Sequence, residues 1–214
     1  MNLPSFIDHT YLKPDCTNED IRRICQEAIE HKFFAVCIPP FFVQDAFRIL
    51  ENEPVKTATV IGFPMGYSST AAKVEEIKRA IDEGVDELDV VVNLCALKSG
   101  NWNYVRNDIE TVTRSAHLRG KGIKIILETG LLNADELEKL IDLCNKAEPD
   151  FIKTSTGFNA EGARPEIVAK MKELANDNIR IKASGGIRTK QDAMNMIEAG
   201  AHRLGTSSSL LIVQ

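Results

Sequence analysis

The 214-residue sequence predicts an α/β fold, a (β/α)8 barrel in one domain. Three observations carry that expectation. Strand-like and helix-like segments alternate from end to end. Eight strand-like segments recur at roughly 25–30-residue intervals, the length of a βα repeat. No linker, Gly/Ser-rich stretch or shift of composition divides the chain, so residues 1–214 read as a single unit. Eight βα units without a break imply a closed barrel. An open, doubly wound sheet is the alternative, and it usually carries a glycine-rich fingerprint after its first strand. That place holds His9-Thr10-Tyr11-Leu12-Lys13-Pro14 here.

The strands are expected at Phe6–Asp8, Ala35–Ile38, Thr57–Gly62, Glu87–Asn93, Lys124–Glu128, Phe151–Ser155, Arg180–Ser184 and Arg203–Gly205, all rich in Val, Ile or Phe. The gap between the fourth and fifth is the longest. Helical stripes fill the gaps: Ile21, Ile24, Cys25, Ala28 and Ile29 recur at helical spacing, as do Ala134, Leu137, Ile141 and Cys144. Thr17 with Asp20, Asn133 with Glu136, and Thr189 with Asp192 have the spacing of an N-terminal capping box. Gly84 and Gly200 stand just past apolar stripes, where helices stop. After Gly205 there is room for only about two helical turns.

Composition bounds the class. The chain is 43% hydrophobic and 27% charged, which argues against disorder. Its longest apolar runs are strand-length, too short to cross a bilayer, and no secretory pattern opens it. These features point to a soluble cytoplasmic protein. A net charge of −5 with no basic block disfavours nucleic acid as a partner. The five cysteines, Cys16, Cys25, Cys37, Cys95 and Cys144, show no C-x-x-C pair and fit reduced thiols. His9, His31, His117 and His202 do not cluster with ligand spacing, so no metal is expected.

In such a barrel chemistry sits at the C-terminal ends of the strands. Three strands there carry charge where a packed interior favours Val or Ile: Asp89 on the fourth, Lys153 on the sixth and Lys182 on the seventh. Alternation along a strand puts Phe151 and Ser155 on the side of Lys153, and Ser184 on the side of Lys182. The two lysines would stand about one strand spacing apart, near 5 Å. Like charge and burial both push a lysine pKa down, and a neutral amine is what Schiff-base chemistry needs. One lysine is therefore read as nucleophile, the other as its proton-handling partner. Asp89 supplies a carboxylate that balances charge and moves protons. A lone lysine at a strand end is more often a salt-bridged residue; two, with an aspartate across the barrel, are harder to explain without a task.

Glycines and hydroxyls follow the last two strands: Ser184-Gly185-Gly186, then Gly205-Thr206-Ser207-Ser208. Loops at those two positions recur as phosphate sites in this fold, and glycine lets backbone N–H groups approach an anion. Gly157 offers a third donor. Asp8, Cys37 and Thr156 are expected to line the site; His9 and Trp102 are read as structural.

Several stretches resemble the deoxyribose-phosphate aldolase family along nearly the whole chain: Ile7-Asp8-His9-Thr10, Val36-Cys37-Ile38-Pro39, Asp86-Glu87-Leu88-Asp89-Val90-Val91, Glu128-Thr129-Gly130, Asp150 to Gly157, Lys182 to Thr189, and Gly205 to Ser208. The Lys-Thr-Ser-Thr-Gly run followed by Lys-x-x-Gly-Gly is specific. The resemblance implies a carbon–carbon lyase that cleaves 2-deoxy-D-ribose 5-phosphate to acetaldehyde and D-glyceraldehyde 3-phosphate, without metal or organic cofactor. It implies Lys153 as Schiff-base nucleophile, with Lys182 and Asp89 as proton donors and acceptors. Expected partners are a sugar phosphate and an aldehyde, with a homo-oligomer left open. Some members carry a basic residue where Phe158 stands here. Longer members have C-terminal residues that close over the site, and that closure is not assumed for this chain. Two other readings remain: a Schiff-base aldolase with a different donor, and a non-catalytic barrel that binds a sugar phosphate.

Overall fold

The computed structural model describes residues 2–159 and 161–214. After a short 3-10 turn, the order is β1 (Ile7–Thr10), α1 (Asn18–His31), β2 (Ala35–Ile38), α2 (Val43–Leu50), β3 (Lys56–Ile61), α3 (Thr70–Asp82), β4 (Glu87–Val91), α4 (Leu94–Lys98) and α5 (Trp102–His117). It continues with β5 (Gly122–Ile126), α6 (Ala134–Ala147), β6 (Phe151–Lys153), α7 (Pro165–Leu174), β7 (Arg180–Ser184), α8 (Lys190–Glu198), β8 (Arg203–Thr206) and α9 (Ser209–Val213). Each strand pairs in parallel with the next, and β8 closes on β1. The chain is a closed (β/α)8 barrel, as the sequence predicts. The long fourth gap holds two helices, α4 and α5.

Local chemistry explains the helix limits. Capping boxes close on α1, α6 and α8 through Thr17 with Asp20, Asn133 with Glu136, and Thr189 with Asp192. Each satisfies two otherwise orphaned N–H groups. Gly84 and Gly200 lie in the left-handed region one residue past the caps of α3 and α8. One expected stripe begins late: Ala134 is exposed, and the buried face of α6 runs from Leu137 through Leu140, Ile141, Leu143 and Cys144.

The barrel has two interiors of opposite character. Outward-facing strand residues such as Ile7, Val36, Ile38, Leu88, Val90, Ile123, Ile125, Ile152 and Ile181 meet the helices in one apolar core. Inside the barrel Cys37, Ala58 and Val60 form a small separate cluster, and Val91, Ile126 and Phe151 share that inner face by register. The register puts those residues on the same face as Asp8, Asp89, Lys124, Lys153, Lys182 and Arg203. Short side chains on β2 and β3 thus leave the barrel's volume to long charged ones on β4 to β8.

Candidate active site

Lys153 and Lys182 are direct register partners on β6 and β7. Asp89 reaches both from β4: its Oδ2 accepts from Lys153 Nζ at 2.7 Å and from Lys182 Nζ at 2.8 Å. Its Oδ1 accepts from Lys124 Nζ at 2.8 Å. Lys182 also donates to Asp8, and Arg203 donates to the other Asp8 oxygen at 2.9 Å. Glu87, two residues below Asp89, lies 2.7 Å from Lys124 and 3.3 Å from Arg203. All seven of these charged side chains are buried.

Burial alone would raise the Asp89 carboxyl, but Lys124, Lys153 and Lys182 outweigh it and hold Asp89 well below the ordinary carboxylate range. Asp8 is lowered to about 2: burial pushes it up, and Lys182 and Arg203 overcome that. Lys182 corrects an expectation. Burial does push its ammonium down, yet Asp8 and Asp89 more than offset burial and shift it upward. It is a fixed cation, not a softened one, because it has two carboxylates where the sequence reading gave it one.

Above Lys153 opens a cavity of about 710 Å³. Of the residues expected there, Lys153, Thr156, Gly157, Gly185, Gly186, Gly205, Ser207 and Ser208 line it. Asp8, Cys37, Asp89 and Lys182 lie beneath its floor, fully buried. Asp8 and Cys37 therefore do not form its wall: both sit on strands at a level where the barrel is packed shut. Burial pushes the Cys37 thiol up, so it stays protonated near neutrality.

The loops after β6, β7 and β8, where the sequence reading expects an anion, present backbone donors to the cavity. Gly185 and Gly186 both take positive φ, 86° and 79°. The N–H groups of Gly157, Gly185, Gly186 and Ser207 donate to no described residue, whereas Ser208 N–H is taken by Thr206 Oγ1 at 2.9 Å. Ser208 thus offers its hydroxyl rather than its backbone. Gly205 faces inward, and a Cβ there would stand 2.3 Å from Ser184 Oγ and 3.1 Å from Lys182 Cε. Phe158 is half exposed and packs edge-on against Phe63 at 5.2 Å. α9 borders the cavity through Leu210 and Leu211.

Sequence reasoning missed Glu87, Lys124 and Arg203. Lys124 had a signal, a lysine between isoleucines in register with Asp89. It also missed Glu128, a buried residue in the left-handed region (φ 57°) that follows β5. Its carboxylate accepts from Thr156 Oγ1 at 2.5 Å and from Asn159 Nδ2 at 2.9 Å, and so ties down the loop after Lys153. The Ser155 and Ser184 hydroxyls are buried without a partner among the described residues. His9 bridges Ser209 at 2.9 Å and Glu27 at 2.7 Å and also lines the cavity. Among the described residues no three His, Cys, Asp or Glu side chains are grouped as around a metal ion, and no helix is long and apolar enough to cross a membrane.

Comparison with known proteins fits this arrangement. The chain matches the profile described as DeoC/LacD family aldolase over residues 5–213. It is 47% identical to a deoxyribose-phosphate aldolase of Thermococcus gammatolerans, covering 100% of this chain and 96% of that one. It is 49% identical to the deoxyribose-phosphate aldolase of Thermococcus kodakarensis, covering 98% and 94%. Among solved structures, the tetrameric deoxyribose phosphate aldolase of Aeropyrum pernix superposes with a TM-score of 0.92 at 34% identity, covering 99% and 89%. The chain belongs to the DeoC/LacD family of aldolases.

Proposed function

We propose that this barrel, acting as one catalytic unit, is a class I aldolase that reversibly cleaves 2-deoxy-D-ribose 5-phosphate to acetaldehyde and D-glyceraldehyde 3-phosphate. The carrying observation is Lys153 itself. It is the one lysine of the buried group that reaches the cavity, and its amine is 2.7 Å from a carboxylate held ionised.

The Lys153 amine adds to the aldehyde carbon of the open-chain sugar, and loss of water with uptake of one proton from solvent, returned at the final hydrolysis, gives a protonated imine. Asp89, kept ionised, accepts the C3 hydroxyl proton through a bound water. The C2–C3 bond breaks, its electron pair moves toward the imine, and glyceraldehyde 3-phosphate leaves an enamine behind. Lys182, kept protonated, delivers a proton back to C2 along the same water. Hydrolysis then frees acetaldehyde and restores the amine. Phosphate lies against the N–H groups of Gly157, Gly185, Gly186 and Ser207 and the Ser208 hydroxyl, with room made by Gly205. That contact fixes the sugar remotely from the bond that breaks. Thr156 lines the site but spends its hydroxyl on Glu128.

All five cysteines are free thiols, which fits a reducing compartment, and we place the enzyme in the cytoplasm. The tetramer described for the Aeropyrum pernix relative supports a homo-oligomer. Borohydride reduction with acetaldehyde, followed by peptide mass mapping, tests the chemistry. An ethyl group on Lys153 is expected; an unmodified Lys153 in folded protein overturns the nucleophile assignment. Turnover with acetaldehyde compared with dihydroxyacetone phosphate decides the donor.

A further inference from the structure

The loop after β8 carries the Ser207 N–H and the Ser208 hydroxyl, and the residue that follows them, Ser209, is fully buried with its hydroxyl against His9. We infer that His9 is a positioning residue for the substrate's phosphate: through Ser209 it holds the loop after β8, from the β1 side, in the shape that receives the anion. The inference rests on the aldolase reading and deepens it.

His9 stands where β8 closes on β1. It pairs in register with Thr206, and Asp8 beside it points inward, so the His9 ring leaves the barrel wall on the outer side. There it is buried, tilted against the Phe33 ring at 5.0 Å, and it borders the cavity together with Glu27 of α1 and Ser208. Nδ1 faces Ser209 Oγ at 2.9 Å and Nε2 faces Glu27 Oε2 at 2.7 Å. One side chain thus joins β1, α1 and the residue next to the loop.

Hydrogen-bond accounting fixes the direction of each bond. Burial pushes the Glu27 carboxyl up, but His9 and Arg23 outweigh it and bring Glu27 below its ordinary value. An ionised carboxylate only accepts, so Nε2 carries the ring proton. Burial also pushes the His9 imidazolium down, further than Glu27 lifts it. Near neutrality the ring is therefore uncharged, and Nδ1 is an acceptor. Ser209 donates its one hydroxyl proton to His9, with the Thr206 carbonyl at 3.2 Å as the longer alternative. Glu27 selects the tautomer, and that tautomer captures Ser209.

The loop is also held from its other side. Thr206 Oγ1 accepts from Ser208 N–H at 2.9 Å and donates to Ile187 O at 2.7 Å, which ties the loop to the turn that carries Gly185 and Gly186. Thr206 is the anchor toward β7, and His9 is the anchor toward β1. Without the second, the loop is restrained on one side only. Among the described residues, Lys153, Lys182 and Asp89 share no hydrogen bond with His9, Ser209 or Glu27. The effect of His9 therefore falls on phosphate binding and not on imine chemistry.

Steady-state kinetics of the full chain at neutral pH test this on 2-deoxy-D-ribose 5-phosphate and on 2-deoxy-D-ribose, the same sugar without the anion. The variants are Ser209→Ala, His9→Gln, the double variant and His9→Asn. The Gln amide overlays Nε2, so it keeps Glu27 and drops Ser209. The Asn amide overlays Nδ1, so its oxygen keeps Ser209. In Ser209→Ala and His9→Gln, KM for the phosphorylated sugar should rise about three- to tenfold, the effect of one neutral hydrogen bond, with kcat kept. The double variant should be no worse than either single one, because both remove the same bond. His9→Asn should stay near the wild type. Turnover of 2-deoxy-D-ribose and borohydride trapping of acetaldehyde on Lys153 should not change. Equal losses on the two sugars, a KM that does not move, additive single effects, or a His9→Asn as impaired as His9→Gln overturn the inference. Should the His9 variants fail to fold, Ser209→Ala alone decides between a rise in KM confined to the phosphorylated sugar and its absence. A wild type that cleaves neither sugar overturns the aldolase reading instead. Calorimetric titration with inorganic phosphate then decides for His9: weaker binding by Ser209→Ala supports its role, and equal affinities overturn it.

Discussion

Side by side in register, Lys153 and Lys182 differ in two respects: Lys153 alone reaches the cavity, and Lys182 has more carboxylates. Lys182 has Asp8 and Asp89, whereas Lys153 has a third share of Asp89. The proposed acid depends on Lys182 being held over Asp89, and Gly205 is what makes room for it. Gly205→Ala would drive its Cβ to 2.3 Å from Ser184 Oγ and 3.1 Å from Lys182 Cε. We expect kcat to fall tenfold or more, on the scale of lost proton-transfer groups, with the fold intact by circular dichroism. Glu128 acts one loop away. Glu128→Ala frees Thr156 and Asn159, so the Gly157 donor loses its anchor. KM for deoxyribose 5-phosphate should rise about tenfold, the size of one good hydrogen bond to a charged group. Imine formation with acetaldehyde, which carries no phosphate, should be unchanged; equal losses for both substrates would count against a phosphate-loop role. These residues also mark what the sequence could convey. Lys153, Lys182 and Asp89 were legible because charge interrupts apolar strands near their C-terminal ends. Lys124 and Arg203 were not, because a basic residue low on a strand looks like an ordinary snorkelling side chain until the closed register turns it inward. The second carboxylate of Lys182 was hidden for the same reason, since Asp8 meets it only when β8 closes on β1.

At the scale of elements, strand order and most boundaries were legible because period-2 apolar runs and capping boxes are local signals. β2 and β7 fall where they are predicted, and the strands that differ do so by a few residues at their ends. What was not local was not read. Lys73 on α3 is fully buried, and its Nζ donates to Val91 O at 2.8 Å and to Asp108 Oδ2 on α5 at 2.6 Å. A lysine on a helix ordinarily reads as a solvated face. Here the pair pins α3 and α5 to the end of β4, the strand that carries Asp89. Breaking one side of a buried ion pair leaves an uncompensated charge, at about 3–5 kcal/mol. Asp108→Ala should therefore lower the unfolding free energy by about that much in a urea titration. A loss under about 1 kcal/mol, the range of exposed pairs, would show that α3 and α5 hold β4 by apolar packing alone.

For the molecule as a whole, a barrel with a charged interior ties stability to pH. Asp8 has an ordinary value of 3.8 and is lowered to about 2 in the fold, burial being outweighed by Lys182 and Arg203. A depressed carboxyl contributes stability that is fully present above its unfolded value and is lost as pH falls through its folded value. The window for Asp8 therefore runs from just above pH 3.8 down to about 2. The contribution is roughly 2 kcal/mol. Asp89, shifted the same way, extends the loss to lower pH, while the apolar core between sheet and helices is indifferent to acid. Lys182 has the opposite sign. Its upward shift from 10.5 gives stability that is complete below that value and declines only as pH climbs past it. Acid should thus be the weak side of the fold near neutrality. In urea titrations, Asp8→Asn should be less stable than the wild type at pH 6, and the gap should close by roughly 2 kcal/mol by pH 2, because the variant has no Asp8 carboxylate left to protonate. A gap that stays constant across that range would mean that Asp8 contributes through shape rather than through its charge pairing with Lys182 and Arg203.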